Sequence, residues 1–328
     1  MLILNADEVR QALPMAACVE AMKYAFSALS SGEAEAPLRT RLAVPGHDGL
    51  ALFMPAYVNS PEGQALALKT VTLFDQNPAR GLPLIHAAVL ALDPVDGRIL
   101  ALLEGSALTA IRTGAGCGAA TDILANPEAK TAAIFGAGAQ ARTQLEALCT
   151  VRPIERAWVY APRADQVQAL IEEMAGGGAV PQDLRSAASP EEAVRAADII
   201  SAATTSPTPV FEHRHLKAGA HVNGAGSYTA EMQELPAETL AAALVSVDSR
   251  SAARVESGDI SIPTDQGLIS EDDIIEIGEI IAGKQPGRST TEQFTVFKSV
   301  GVAVQDAVAA SLALERAREL GLGSEVDW

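Results

Sequence analysis

Three cysteines, Cys18, Cys117 and Cys149, are too few and too scattered for a disulfide framework or a cysteine-rich zinc site. Basic residues are scarce as well. There are 24 Lys and Arg against 41 Asp and Glu, a formal charge of −17 with a pI near 4.7. Nucleic-acid binding requires phosphates to be neutralised by Lys and Arg, so this balance argues against a nucleic-acid partner. Docking on an anionic membrane surface is disfavoured for the same reason. No stretch reaches the roughly 18 apolar residues that a membrane span requires. "MLILNADEVR" has neither the basic n-region nor the apolar h-region of a signal peptide, so a cytoplasmic protein is expected. No Gly-x-Ser-x-Gly elbow and no Cys/His arrangement points to nucleophilic catalysis. His213 and His215 have an i, i+2 spacing but no evident third ligand, so they read as surface histidines and no metal is expected. His86 reads as a core or interface histidine.

What the chain does have is enough apolar sequence for a core. At 48% hydrophobic and 20% charged residues, its 328 residues can fill one large domain or two ordinary ones. From residue 130 onward short apolar strands alternate with helices. "TAAIF" precedes a helix running to about Thr150, and "RAWVY" (156–160) precedes a helix from Asp165 to Met174. Ser189-Pro190-Glu191-Glu192 is a capping box with proline at the first helical position. "DIISAA" (198–203), "HVNGAG" (221–226) and "LVSVDS" (244–249) continue the series. This pattern predicts an α/β domain with a doubly wound parallel sheet of the Rossmann type.

The N-terminal part differs. A helix near 15–31 is followed by alternating stretches, "LRTRLAV", "LALFMPAYV" and "ALALKTVTLF", which read as antiparallel strands. "LPLIHAAVLAL" and "RILALLEG" flank the turn "DPVDG" and predict a hairpin. A helix rich in glycine and alanine (about 106–125) leads into the nucleotide-type series. The helix "QDAVAASLALERARELG" closes the chain outside it.

The turn after "TAAIF" runs Gly136, Ala137, Gly138, Ala139, Gln140, Ala141 and fits the pattern G-x-G-x-x-A. The first glycine permits a tight turn, the second lets backbone approach a pyrophosphate, and the small third residue lets helix and strand pack. The helix N-terminus adds free N–H groups and a partial positive charge. A dinucleotide site is therefore expected. The second strand ends "VYAPRAD", without the acid that binds the ribose 2′-hydroxyl in NAD enzymes. Arg163 is placed to meet a 2′-phosphate, and Arg142 at the start of the first helix can assist; both are also compatible with solvated surface arginines. NADP(H) is the preferred cofactor, with NAD(H) as the alternative.

Arg39, Lys69 and Arg112 each interrupt an apolar stretch; Arg39 shares a strand face with Arg41. A buried cation must be paired, yet no acid lies near any of the three in sequence. Two readings are open. Each cation pairs with a distant Asp or Glu, or the three converge as a pocket for a substrate carboxylate. Arginine suits bidentate carboxylate binding, and lysine offers a compact charge that can also give up a proton.

Several ordered motifs then resemble the ornithine cyclodeaminase/μ-crystallin family across nearly the whole chain. They are "PLRT" (37–40), "MPAY" (54–57), "LALKTV" (66–71), "LTAIRTGA" (108–115), "IFGAGAQA" (134–141), "HVNGAGSYTAEMQEL" (221–235), "ESGD" (256–259) and "TVFKSVG" (295–301). The resemblance implies a Rossmann domain, 119–303, inserted in a split substrate-binding and dimerisation domain, 1–118 plus 304–328. It also implies a homodimer. Residues matching Arg39, Lys69 and Arg112 hold the substrate carboxylate in this family. Tyr228 stands where cyclodeaminases carry an Asp that manages the amines, and a phenol with a pKa of about 10 is no substitute base. The chain therefore resembles the members that reduce Δ1-pyrroline-2-carboxylate or Δ1-piperideine-2-carboxylate to L-proline or L-pipecolate. Lys69 and Arg112 are the expected catalytic residues. Thr204, Ser299 and Gly301 are expected to border the nicotinamide, and Tyr228 the substrate ring. An ornithine cyclodeaminase, an alanine-type amino-acid dehydrogenase, and an NADPH-binding protein without turnover remain as alternatives.

Overall fold

The alternating N-terminal stretches pair as strands and the later apolar runs as parallel ones in the computed structural model, which describes residues 1–327. In chain order the first elements are β1 (Leu2–Leu4), α1 (Ala6–Ala12), α2 (Met15–Ser31), β2 (Ala34–Glu35), β3 (Thr40–Val44) and β4 (Gly49–Ser60). β5 (Gly63–Phe74), β6 (Ile85–Leu92), β7 (Ile99–Glu104) and α3 (Gly105–Leu124) follow. The middle of the chain forms β8 (Thr131–Phe135), α4 (Ala139–Val151), β9 (Arg156–Tyr160), α5 (Ala164–Met174), β10 (Asp183–Ser186), α6 (Pro190–Arg195), β11 (Ile199–Ala202) and β12 (His221–Gly224). Next come α7 (Ala237–Ala241), β13 (Ala243–Val247), α8 (Arg250–Glu256), α9 (Gly258–Asp265), β14 (Ile275–Glu276), α10 (Ile277–Ile281) and β15 (Phe294–Lys298). α11 (Ala303–Leu320) and β16 (Ser324–Glu325) end the described chain. Two units result. One is Met1–Arg112 with the segment from Val302, and the other is Thr113–Gly301.

In the first unit the strands run β16-β1-β7-β6-β5-β4-β2, with β3 on β4. β4 to β7 form an antiparallel meander, and β1 lies parallel to β7. Strand side chains alternate between faces, so residue parity decides what is covered. Ala65, Ala67 and Lys69 of β5 are buried, and Met54 and Val89 pair beside Lys69. α11 packs against α2, β4, β5 and β6. Its buried Ala307, Ala310, Ala313 and Ala317 form a small-residue stripe at helical spacing, which lets backbone approach closely. Leu66, Leu68, Leu90, Leu92 and Leu102 lie on the opposite face and are only half-buried.

The second unit is a parallel sheet in the order β10-β9-β8-β11-β12-β15-β13-β14. Both of its faces are covered, which explains why its strands are continuous apolar runs. Ala132 and Ile134 of β8 join a core with Leu145 and Leu148 of α4 and Val167 and Leu170 of α5. Ala133 and Phe135 join the other, with Val194, Leu240 and Ile260. Full burial of a side chain such as Ile134 contributes about 1.5–3 kcal/mol. β15, "FTVFK", lies between β12 and β13 although it follows both in sequence. The Ser189 cap is offset from a reciprocal box. Ser189 Oγ accepts from Glu192 N, while Glu192 Oε2 accepts from Ala188 N.

Candidate active site

The glycine turn joins β8 to α4 at the point where strand order reverses, β9 on one side and β11 on the other. Such switch points hold ligands outside the carboxyl ends of the strands. Gly136 has φ +106°, and a Cβ there would sit 2.6 Å from Ala203 O. Both conditions demand glycine. A Cβ on Gly138, the N-cap of α4, would meet nothing within 4 Å, so this position opens onto free space. No side chain caps the helix, and Ala141 is fully buried against the strand core. Gln140 Oε1 is buried with no hydrogen-bond partner among the described residues. Free N–H groups and an open N-cap fit the diphosphate of a dinucleotide.

The two arginines expected near a 2′-phosphate separate in role. Arg163 is exposed at the N-cap of α5, 3.6 Å from Asp165. Arg142 is committed elsewhere. Its Nη1 donates to Ala137 O and Gly138 O at 2.8 and 3.2 Å, and its Nε donates to Glu173. Arg142 thereby ties α4 back to the turn carbonyls and to Glu173. Thr204 follows β11, and its N–H donates to Glu234 Oε1 at 2.6 Å. Ser299 is buried with its Oγ donating to Asp248 Oδ2, which also accepts from Val300 N and Gly301 N. Ser299 thus shapes its loop, its hydroxyl being engaged by Asp248. Desolvation pushes the Asp248 carboxyl above its ordinary range, against these donors.

In the first unit two of the three cations, Lys69 and Arg112, meet on an acid that sequence spacing did not reveal. Asp306, in the first turn of α11, lies 2.7 Å from Lys69 Nζ through Oδ2 and accepts from Arg112 Nε through Oδ1 at 2.9 Å. Gln305 Oε1 accepts from Arg112 Nη1 and from Val302 N, each at 3.0 Å. Lys69, Arg112 and Asp306 are 1%, 4% and 1% exposed, so their charges are hardly screened by water. Arg39, half-buried just before β3, is near enough for its charge to act on Lys69. Burial first, then the Arg112 charge, lower the Lys69 ammonium to about 7, while Asp306 opposes them. The reading in which a distant acid pairs with these cations therefore holds for Lys69 and Arg112. While Lys69 is protonated, one carboxylate faces two cations and positive charge remains.

The remaining candidates lie on other elements. Tyr228 is 37% exposed in the loop after β12. His213 and His215 sit half-buried in a 3-10 turn instead of on a strand, and His213 Nδ1 is 3.2 Å from Thr239 Oγ1. His86 is exposed within the protomer, so it is not a core histidine. Among the described residues no group of His, Cys, Asp and Glu could hold a metal ion, and no helix is long and apolar enough to cross a membrane.

The model of the ornithine cyclodeaminase/mu-crystallin family matches residues 1–321. A Δ1-pyrroline-2-carboxylate reductase from Bacillus cereus is 39% identical over 330 residues, covering all of both chains. Among solved structures, the Thermococcus litoralis Δ1-pyrroline-2-carboxylate reductase in complex with NADH and L-proline superposes with a TM-score of 0.93 at 41% identity, covering 99% of this chain and 100% of that one. An archaeal alanine dehydrogenase dimer with bound NAD has a TM-score of 0.91 at 30% identity, covering 100% and 99%.

Proposed function

We propose a function from one premise: this chain belongs to the ornithine cyclodeaminase/mu-crystallin family. It is an NAD(P)H-dependent ketimine reductase that converts Δ1-pyrroline-2-carboxylate or Δ1-piperideine-2-carboxylate to L-proline or L-pipecolate. The observation that carries this reading is the buried Lys69–Asp306–Arg112 cluster, whose two cations face one anion and whose residual charge suits an anionic substrate. The similarity to reductases of this imine, one of them complexed with NADH and L-proline, supports it.

A bound nicotinamide supplies the hydride, chemistry that belongs to the cofactor. The chain's residues bind, orient and manage the proton. Residues 136–141 hold the diphosphate, and Arg163 meets a 2′-phosphate, so NADP(H) is preferred over NAD(H). Asp306 takes the Nε edge of Arg112 and Gln305 its Nη1, which leaves Nη2 for the substrate carboxylate, with Arg39 as second contact. Lys69, brought to about 7, holds a proton that it can give up near neutrality. Its ammonium donates to the imine nitrogen, and a protonated C=N accepts hydride at carbon more readily. Tyr228 offers no carboxylate for ornithine's amines, which weighs against cyclodeamination.

The half-buried leucine face of the first unit is the homodimer interface in this reading. An apolar sheet face of this extent is costly to leave in water. The test of the function is a substrate panel followed by nicotinamide absorbance. Oxidation of NADPH by either cyclic imine supports the reductase. Ammonia and proline from ornithine would mark a cyclodeaminase, and amination of pyruvate an alanine dehydrogenase.

A further inference from the structure

The second unit contains a buried charged network of its own. Glu234, Asp259 and Lys298 are each fully buried, and Lys298 Nζ lies 3.2 Å from Asp259 Oδ2 while donating to Ser227 O at 2.9 Å. Asp259 Oδ1 accepts from Glu234 N and Leu235 N at 2.7 and 2.8 Å, which fixes the backbone that carries Glu234. Asp259 Oδ2 accepts from Ser227 Oγ at 2.7 Å. Lys298 thus balances one acid and leaves the second to be satisfied by backbone.

Glu234 is satisfied in an unusual way. Oε1 accepts from Thr204 N at 2.6 Å, and Oε2 accepts from Gly226 N and Ser227 N at 2.6 and 2.9 Å. One side chain therefore ties the loop after β11 to the loop after β12. Three N–H donors on two oxygens suit the ionised carboxylate, because a protonated acid would turn one acceptor into a donor. The loops are also in contact. A Cβ on Gly226 would meet Thr204 O at 2.1 Å, Thr204 N at 2.4 Å and Glu234 Oε1 at 2.6 Å. On its other side the β11 loop meets the glycine turn, since a Cβ on Gly136 would strike Ala203 O. Glycine turn, Thr204 loop, Gly226 loop and Glu234 thus form one continuous stack at the carboxyl edge of the sheet.

We propose that Glu234 is a positioning residue for the nicotinamide half of the cofactor, bolting the loops after β11 and β12 in fixed register with the diphosphate turn. The inference rests on the dehydrogenase reading above, and it concerns a residue that acts through backbone without touching substrate. Glu234→Gln keeps the shape, retains one acceptor oxygen and turns an amide N–H toward a backbone donor. It also leaves Lys298 and Asp259 as a balanced pair, so no unpaired charge is created.

The test compares NADPH with 2′-phospho-ADP-ribose (ADP-ribose below), which lacks only the nicotinamide ring, by direct binding titration. In Glu234→Gln, ADP-ribose affinity stays within about twofold of wild type while NADPH binds about tenfold more weakly. kcat for the imine falls about 10²-fold, with KM for the imine little changed, as expected for misplacement by about an ångström. Glu234→Asp retains the charge on a shorter stem and is measured alongside by the fluorescence of bound NADPH. An emission shift in that variant supports the proposal even where the glutamine variant does not fold. Equal losses for ADP-ribose and NADPH would overturn the proposal, as would unchanged affinity and kcat. A wild-type protein that binds NADPH but reduces no imine leaves the binding comparison decisive for Glu234 while refuting the reductase. A wild-type protein that binds neither NADPH nor NADH refutes both.

Discussion

Asp306 Oδ2 lies 2.7 Å from Lys69 Nζ, and its other oxygen accepts from Arg112 Nε across 194 residues of chain. A single carboxylate on α11 thereby sets the orientation of both central cations. Removing it leaves two buried positive charges facing each other. Asp306→Ala is expected to lose about 3–5 kcal/mol of stability, the usual cost of breaking a buried ion pair from one side. Chemical denaturation checks this, and a loss below about 1 kcal/mol would mean that water already reaches the cluster.

The pH dependence follows from Lys69. Its ammonium titrates at about 7 in the folded protein against 10.5 ordinarily, through burial first and the Arg112 charge second. If the protonated form acts, kcat/KM for the imine declines as pH rises through about 7. Asp306 holds this value up, so Asp306→Asn moves the decline to lower pH. Stability has the opposite sign. The folded protein binds fewer protons than the unfolded chain between about 7 and 10.5, so this group's contribution rises with pH across that window. A pH–rate profile that does not respond to Asp306→Asn would remove Lys69 from the proton transfer.

The proposed reading puts cofactor choice on Arg163, which is exposed, while Arg142 bonds to Glu173 and the turn carbonyls. Arg163→Ala is expected to raise KM for NADPH about tenfold and leave KM for NADH unchanged. Equal effects on both cofactors would make Arg163 an ordinary surface residue.

The leucine face of the first unit makes a separate prediction. Leu68→Glu with Leu90→Glu puts two charges on neighbouring positions of paired strands β5 and β6. Light scattering after size exclusion is expected to report a dimer for wild type and a monomer for the double variant. A wild-type monomer, or a dimer that survives both charges, would place the interface elsewhere.

Much of this was legible in the sequence where local rules apply. Strand, glycine turn and helix around Gly136 follow from backbone sterics and apolar runs, and the antiparallel meander follows from period-two alternation. Asp306 was not legible from spacing, because its partners arrive from β5 and α3. A signal existed all the same: it is a lone acid in "VAVQDAVAAS", open to the same argument as a lone cation in apolar company. Glu234 gave no such signal, since an acid in a polar loop looks solvated until the loop is seen to be buried, and Asp259 reads as an ordinary acid in the first turn of a helix. The place of β15 between β12 and β13 was equally hidden, because parallel strands carry no mark of their neighbours.

The central claim is that the Lys69–Asp306–Arg112 cluster serves imine reduction. Its most direct test is the rate of NADPH oxidation with Δ1-pyrroline-2-carboxylate by the wild-type protein, Arg112→Ala and Lys69→Ala side by side. Turnover by wild type, with kcat/KM reduced about 10²-fold or more in both variants while NADPH binding is retained, is the predicted result. Turnover that persists undiminished in either variant would contradict it.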